Sequence, residues 1–452
     1  MARLSSTEHV CVAIVGGGIA GLSLARMLEQ VGISYALWEA KQEFAPNLGA
    51  SVGLGPQGLR ILDQLGVVEQ LEVHEVEHHS WEHRDANGNL HATFTSWSQL
   101  RPTLGYSGIF LERQRLEQIL YDSVKDKFPL RTSKRVISIK DSEHAATLVA
   151  SDGTSLTCEF VAGADGVRSL VRREIERKSL GSASHGGFDA KFACVYGISD
   201  PHPAIGPGRH FTVYRPDASL LVFTGMDGVA YWFLFEELKR TIQYNARERF
   251  SQVDIDRLFA QTADTLVTDG VRWAEIIQRR RVAIMAALEE GIADTMFHGR
   301  MLLLGDSAHK MTPHSGMGAN QALESAAAFV NVLRSLLAQT HTRHIPASKI
   351  RSCLAAYERR RKLRVTEATE IASMKCRMEL KIGPDSDVFW QRLGKMSDEQ
   401  SLGLMLRSFS GAEYLEKWPC GGARVAQYCA AADAIRRNAA SAPVEVQAAA
   451  RL

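Results

Sequence analysis

Residues 305–320, GDSAHKMTPHSGMGAN, bring together side chains that can do chemistry. Asp306 is the single acid, His309 and His314 are potential ligands or bases, and Gly316 and Gly318 precede an alanine-rich helical pattern. Three chemistries fit: a metal centre, a hydrolase nucleophile, or a turn that lifts backbone against a ligand. A metal needs a third ligand at a workable spacing from the two histidines, and none stands there, so no metal is expected. Ser307 sits in G-D-S-A-H, not G-x-S-x-G, which rejects the strained nucleophile turn. The ligand-cradling turn remains.

A second candidate lies near the N-terminus. Gly16, Gly18 and Gly21 form G-x-G-x-x-G between a strand-like run, HVCVAIV, and a helical one, IAGLSLARMLEQ. The first glycine permits the tight turn, the second admits a pyrophosphate, and the third lets helix pack on strand. The helix start then offers free N–H groups and a positive dipole end. Glu39 closes the next strand, 18 residues past Gly21, where a dinucleotide fold places the acid for ribose hydroxyls. An acid there suits FAD or NAD better than NADP. A third motif, VAGADGVRSLVRR, carries Gly163, Asp165, Gly166, Arg168 and Arg172 after another strand.

The elements that must position these residues follow from periodicity. A βαβ unit opens the chain, and residues 58–71 and 112–125 have helical spacing. Residues 134–161 predict antiparallel strands. Residues 74–110 are strand-like, with a hairpin turn at Asn87–Gly88. Residues 185–236 alternate and are rich in aromatics, which predicts a second, antiparallel sheet; 246–280 predicts helix. Long helices follow residue 318. The fold class is therefore α/β: a Rossmann-type nucleotide-binding domain, an antiparallel-sheet substrate domain and C-terminal helices. The expected division is 8–75, 110–182 and 295–340 for the first, 76–109 and 183–294 for the second, 341–430 for a helical region and 431–452 for a flexible tail.

Composition narrows the function classes. The chain has 452 residues, 45% hydrophobic and 23% charged, with a net charge of +2. That balance supplies no global basic field, so no nucleic-acid partner is expected. Seven scattered cysteines, never in C-x-x-C, argue for a reducing compartment. No signal-peptide pattern and no uninterrupted apolar run of about 20 residues is seen, so no integral span is expected. The expected location is the cytoplasm, free or peripheral to an internal membrane. YERRRKLR, residues 357–364, predicts a solvated helix face.

The three glycine motifs, in this order and at these separations, resemble the flavin-dependent monooxygenases of the para-hydroxybenzoate hydroxylase fold over about residues 9–335. GASVGLGPQGLRILDQLG, GDSAHKMTPHSGMGANQALESAA and AYWFLFEEL further resemble the fungal FAD-dependent epoxidases of the paxilline type, which serve indole-diterpene and meroterpenoid biosynthesis. The resemblance implies bound FAD, with NADPH as a transient co-substrate and O2 as oxidant source. Glu39 would bind the adenosine ribose, Gly53 lie near the flavin, Arg113 contact the cofactor and Asp306 bind the ribityl chain. Gly318 and Ala319 would face the pyrimidine edge, and Asp165 would serve FAD and the arriving NADPH. It also implies a flavin C4a-hydroperoxide that epoxidises an alkene of a large, hydrophobic, terpenoid-type small molecule. Members of the narrower family often carry apolar membrane segments toward the C-terminus, and this chain departs from them there.

Tyr196, Tyr214, Trp232 and Phe235 are candidates for an aromatic pocket over the flavin. Tyr196 and Tyr214 are the candidate catalytic residues, since a phenol can steady or protonate a substrate oxygen. The alternative is an aromatic-ring hydroxylase of the salicylate or hydroxybenzoate type, whose acidic substrate would need Arg209 or Arg215. A flavin-binding protein without catalysis is a third reading. The identity of the substrate and the oligomeric state are not encoded in these patterns.

Overall fold

The computed structural model describes residues 8–47, 51–180, 188–244, 246, 248–340, 344–418 and 422–441. The strand Glu8–Val15 is rich in valine and isoleucine, which suits a strand covered on both faces. It pairs in parallel with Tyr35–Trp38 on one side and Ser155–Gly163 on the other. Met301–Leu303 extends the sheet beyond Ser155–Gly163, and Leu130–Arg131 extends it beyond Tyr35–Trp38, again in parallel. The three glycine motifs leave the carboxyl ends of adjacent strands, at Val15, Gly163 and Leu303. That edge is where open parallel sheets bind ligands. Val136–Asp141 and Ala146–Ala150 form an antiparallel ribbon that joins the first half of Ser155–Gly163.

A second sheet has seven strands, in the order Arg280–Glu289, Ala190–Ser199, Ala230–Ile242, Ser219–Thr224, Arg209–Tyr214, Ser80–Asp85, Leu90–Phe94. Its pairs are antiparallel except Arg209–Tyr214 with Ser80–Asp85, which run in parallel. Strand periodicity separates two faces. The back face carries Val195, Leu220, Val222, Trp232 and Leu234, and packs on the helices Gln252–Thr262 and Trp273–Gln278. The front face carries Phe192, Cys194, Tyr196, Leu221, Phe223, Phe233 and Phe235, with Cys376 and Leu380 of the helix Ala347–Glu379 and its C-cap against it.

Several expectations change. Trp232 points to the back face and donates its indole N–H to Ser199 Oγ at 2.9 Å, so it is core and not pocket. The stretch 246–280 is two helices separated by a short ribbon, Leu266–Thr268 and Val271–Arg272. The expected tail is helical through Ser441, in Ala423–Ser441, with Ala432 buried. An alanine-rich polar segment is helical here because Tyr428 and Ala432 find a packing surface. Residues 442–452 and Cys420 lie outside the described residues. No helix among the described residues is long and apolar enough to cross a membrane.

The YERRRKLR stretch is solvated only in part: Arg359 is exposed, but Tyr357 and Arg361 are not. Tyr357 is buried and donates its hydroxyl to Leu303 O at 2.7 Å. Arg361 is fully buried, 3.0 Å from the equally buried Glu324 of the helix Gly318–Ala338. Its guanidinium also bonds Ser325 Oγ and Gln321. Removing one partner of a buried pair leaves an uncompensated charge. Arg361→Met should therefore cost about 3 kcal/mol in chemical denaturation, at the low end because Arg364 still faces Glu324. An unchanged denaturation midpoint would show that the pair contributes nothing.

Candidate active site

The first glycine turn is held by backbone geometry. Gly16 has φ +106° and donates its N–H to Trp38 O at 2.9 Å. A Cβ on Gly16 would stand 2.4 Å from Ala164 O, so the first and middle motifs touch through their backbones. A Cβ on Gly21 would stand 1.9 Å from Gly16 O, which fixes how closely the helix Ile19–Gln30 follows its strand. Gly18 caps that helix with extended backbone and no side-chain cap, leaving the first N–H groups free. Glu39 accepts from Gly17 N at 2.6 Å and Lys41 N at 2.8 Å, so backbone orients the acid at the turn.

Arg113 opens the helix Arg113–Ser123 and reaches the same cradle. Its Nη2 lies 3.7 Å from where a Gly18 Cβ would be, and its Nε donates to Glu117 at 2.9 Å. Burial works against its charge, but Glu117 and then Asp306 and Tyr196 outweigh it and hold it charged. The influence of Asp306 and Tyr196 places Arg113 between the glycine turn and the third motif. Asp306 sits in the turn Gly305–Ser307 and pairs with Lys310 Nζ at 2.7 Å. Burial raises its carboxyl, yet Lys310 and Arg113 hold it below the ordinary aspartate range.

The helix Gly318–Ala338 begins without a side-chain cap, and no atom beyond the adjoining backbone lies within 4 Å of where a Gly318 Cβ would be. No side chain caps its first N–H groups, and the side of the helix at Gly318, next to Ala319, is open. Asn320 fixes this helix start to the strand Ser51–Leu54, donating to Gly53 O at 3.1 Å and accepting from Gly55 N at 3.1 Å. Gly53 itself pairs with Phe110, whose ring stacks 4.1 Å from Phe223 of the front face. Gly49 and Ala50 of the same motif lie outside the described residues.

The middle motif behaves differently from expectation. Asp165 accepts from Ser169 Oγ at 2.5 Å and Leu170 N at 2.7 Å, capping the helix Leu170–Leu180. Its carboxylate is committed to that helix, and burial raises its pKa despite these bonds. Arg172, singled out with no role, donates to Ser307 O at 2.9 Å and to Val167 O at 2.5 Å. It stitches the middle motif to the third. No single-sequence signal separates such an arginine from a phosphate ligand.

The two tyrosines part company. Tyr196 is half-buried on the front face, near Arg113 and Lys310; burial raises its pKa and these cations oppose the rise. Tyr214 is buried in a separate cluster with Phe94 and Leu393, its hydroxyl 3.1 Å from His83 Nδ1. The structure does not bring it to Arg113 and Asp306, which takes it out of the catalytic pair. Phe235 does lie on the front face, its ring 3.9 Å from that of His314. His309 Nε2 pairs with Ser325 Oγ at 3.2 Å, and burial, with Arg361, pushes its pKa down to about 4. Arg209 and Arg215 are engaged elsewhere, with Glu82 and Asp217. Among the described residues, His9, Glu159 and His344 are near enough to share an ion, but His9 is at the opposite end of its strand from Gly16.

Two uncapped helix starts, an acid at the strand end, and Arg113 and Asp306 within each other's electrostatic reach suit a dinucleotide with a long polar chain. Comparison with known proteins agrees. The FAD binding domain family matches residues 9–372, and the chain belongs to that family. It is 34% identical to the FAD-dependent monooxygenase olcE of Penicillium canescens, over 81% of each chain. It is 33% identical to the FAD-dependent monooxygenase penM of Penicillium crustosum, over 89% of this chain and 86% of that one. The fold is similar to that of Klebsiella pneumoniae HpxO complexed with FAD and uric acid, with a TM-score of 0.73 at 22% identity, covering 91% of this chain and 99% of that one. FAD is the cofactor.

Gly21→Ala tests the glycine turn. The added methyl meets Gly16 O, so the turn must open where the cofactor would lie. The purified variant should lose most of its flavin absorbance per protein while keeping its far-ultraviolet helix signal. Full flavin loading would show that the contact can relax.

Proposed function

We propose that the protein uses NADPH and O2 to epoxidise an alkene of an apolar, terpenoid-type intermediate of secondary metabolism. The coarser statement, that it is an FAD-dependent monooxygenase, rests on family membership and on its fungal relatives. The observation that carries the finer reading is the front face. Tyr196, Phe233 and Phe235 form an aromatic surface that meets the flavin-side residues Arg113 and Lys310, while both candidate carboxylate-binding arginines are held in ion pairs elsewhere. An apolar alkene needs no such arginine, whereas a small phenolic acid does.

In this reading Gly16, Gly18 and Gly21 admit the pyrophosphate to the start of the Ile19 helix, and Glu39 takes the ribose hydroxyls. Arg113 and Asp306 hold the chain between phosphate and ring. Gly53, Gly318 and Ala319 keep bulk away from the ring, and the free N–H groups of the Gly318 helix stabilise negative charge at its pyrimidine edge. Asp165 shapes the loop by capping the helix Leu170–Leu180 with its carboxylate. Bound FAD, reduced by NADPH, would supply the electrons that activate O2 for transfer of one oxygen atom. The aromatic surface excludes water from that transfer. Tyr196 keeps its proton at neutral pH and can donate it, as a hydrogen bond, to an oxygen of the substrate.

Asp306→Ala should yield protein stripped of FAD, recoverable only at high added flavin, as read by flavin fluorescence after gel filtration. Tyr196→Phe should keep FAD but lower the turnover number by about 10²-fold, the low end for a lost acid; Tyr214→Phe should leave turnover near that of the parent. The reaction itself is tested by incubating the yellow enzyme, NADPH and O2 with a panel of prenylated arenes and polyenes beside simple phenols. Epoxide, identified by mass spectrometry, is the expected product. Ring-hydroxylated phenol with no epoxide would replace this reading with the hydroxylase alternative.

A further inference from the structure

The loop that precedes the Gly318 helix leaves a buried polar group without a task. His314 is buried, its ring against Phe235, and neither ring nitrogen has a hydrogen-bond partner among the described residues. Glu379, at the end of the Ala347 helix, is buried too, and its Oε2 is also unpartnered among them. The two face each other, His314 Nε2 lying 3.7 Å from Glu379 Oε2, too far for a hydrogen bond. Buried polar groups are nearly always bonded, and several together on one spot mark a missing water, ion or ligand. The location favours a ligand. Phe235 shares the front face with Tyr196 and Phe233, and Thr312, two residues from His314, bonds Ala372 O at 2.9 Å, anchoring the loop on the same helix.

We propose that His314 and Glu379 are the polar end of the substrate site and hold an oxygen function, a hydroxyl or carbonyl, of an otherwise apolar substrate against Phe235. This rests on the substrate occupying the front face, as argued above. The donor and acceptor inventory fits. Burial, with Lys375 and Arg377 nearby, pushes the His314 pKa down to about 3, so its imidazole is neutral and offers one donor and one acceptor. Burial pushes Glu379 up to about 8 despite the attraction of Lys375 on its own helix, so near pH 7 it is mostly the neutral acid, with an O–H to donate. The groups around the pair are Lys375, Cys376, Arg377, Tyr214 and, beyond Lys375, His83. Burial lowers the pKa of Lys375, and its attraction to Glu379 opposes that shift. The Glu379 donor is therefore present below its pKa and is lost as pH rises through it. Affinity for an oxygenated ligand should be flat from about pH 6 to 7 and fall above about 8.

The test uses the FAD-loaded enzyme and two probes, a farnesyl-substituted phenol and the farnesyl-substituted benzene that lacks its hydroxyl. Binding is read from the perturbation of the flavin spectrum, and product from mass spectrometry. The phenol should bind at least about tenfold more tightly, the worth of one good hydrogen bond in a dry site. His314→Phe and Glu379→Leu should each erase that preference. Glu379→Gln keeps a donor, so it should retain the preference and abolish its decline at high pH, which a merely structural glutamate would not do. Equal affinity of the parent for both probes, or a preference that survives in both apolar variants, overturns the proposal. Equal affinity with epoxide formed leaves the epoxidase reading standing alone. A preference with only ring hydroxylation does the reverse, and binding of neither probe sinks both.

Discussion

Three loops leave the carboxyl edge of one parallel sheet, and their backbones approach one another with nothing between them. Gly21 lies on the carbonyl of Gly16, Gly16 lies on Ala164, and Gly305 fits between Ala20 and Ala322, where a Cβ would stand 3.3 Å from each. A side chain at any of these places would push the neighbouring helices and strands apart. Polar stitches then fix the arrangement. Ser307 Oγ stands within hydrogen-bond reach of both Gly163 O and Leu304 O, and Arg172 ties the turn to the middle loop. The cradle is thus assembled from close backbone contacts first and from charged side chains second. Asp306 and Arg113 can face a ligand because neither is needed to hold the loops together.

The Gly318 helix keeps its position through buried charge. One end must present bare N–H groups to the cradle, so it carries small residues and no cap. Its middle must dock on the long C-terminal helix, and it does so through Glu324, which faces Arg361 and Arg364 and also accepts from Glu413 N at 3.3 Å. A carboxylate that accepts from so many donors is held ionised although burial opposes it. The direction of the helix start is therefore set about two turns away, by ion pairs invisible from the site itself.

What is legible in the sequence follows the range of the interactions. Local steric rules make the glycine turn legible, because the roles of Gly16 and Gly21 depend on atoms a few residues away or on the adjacent loop. The second sheet is legible from alternation, but its faces are not: Tyr196 and Trp232 are both aromatic strand residues, and register alone sends one forward and the other back. Arg361 reads as solvent-facing charge because its partner is 37 residues upstream on another helix. Asp165 reads as a cofactor ligand because a helix cap and a ligand-binding acid share one signature, an acid just before a helix. The ambiguity is chemical in each case, and only three-dimensional neighbours resolve it.

The two faces of the second sheet hold their polar groups differently. On the back face Trp232 bonds Ser199 and the partly exposed Arg209 bonds Glu82 and Thr268, while the buried indole N–H of Trp273 has no partner among the described residues. On the front face His314 and Glu379 are buried and unpaired among the described residues. A folding core tolerates little of the second kind, because each unsatisfied group costs about 1–3 kcal/mol. Such a cost persists only where another interaction offsets it, and a water, an ion or a ligand shared by the two groups would do so. On the front face Tyr196 stands half-buried across from Phe233, and His314 lies against Phe235, so hydrogen-bonding groups border its aromatic residues at two places.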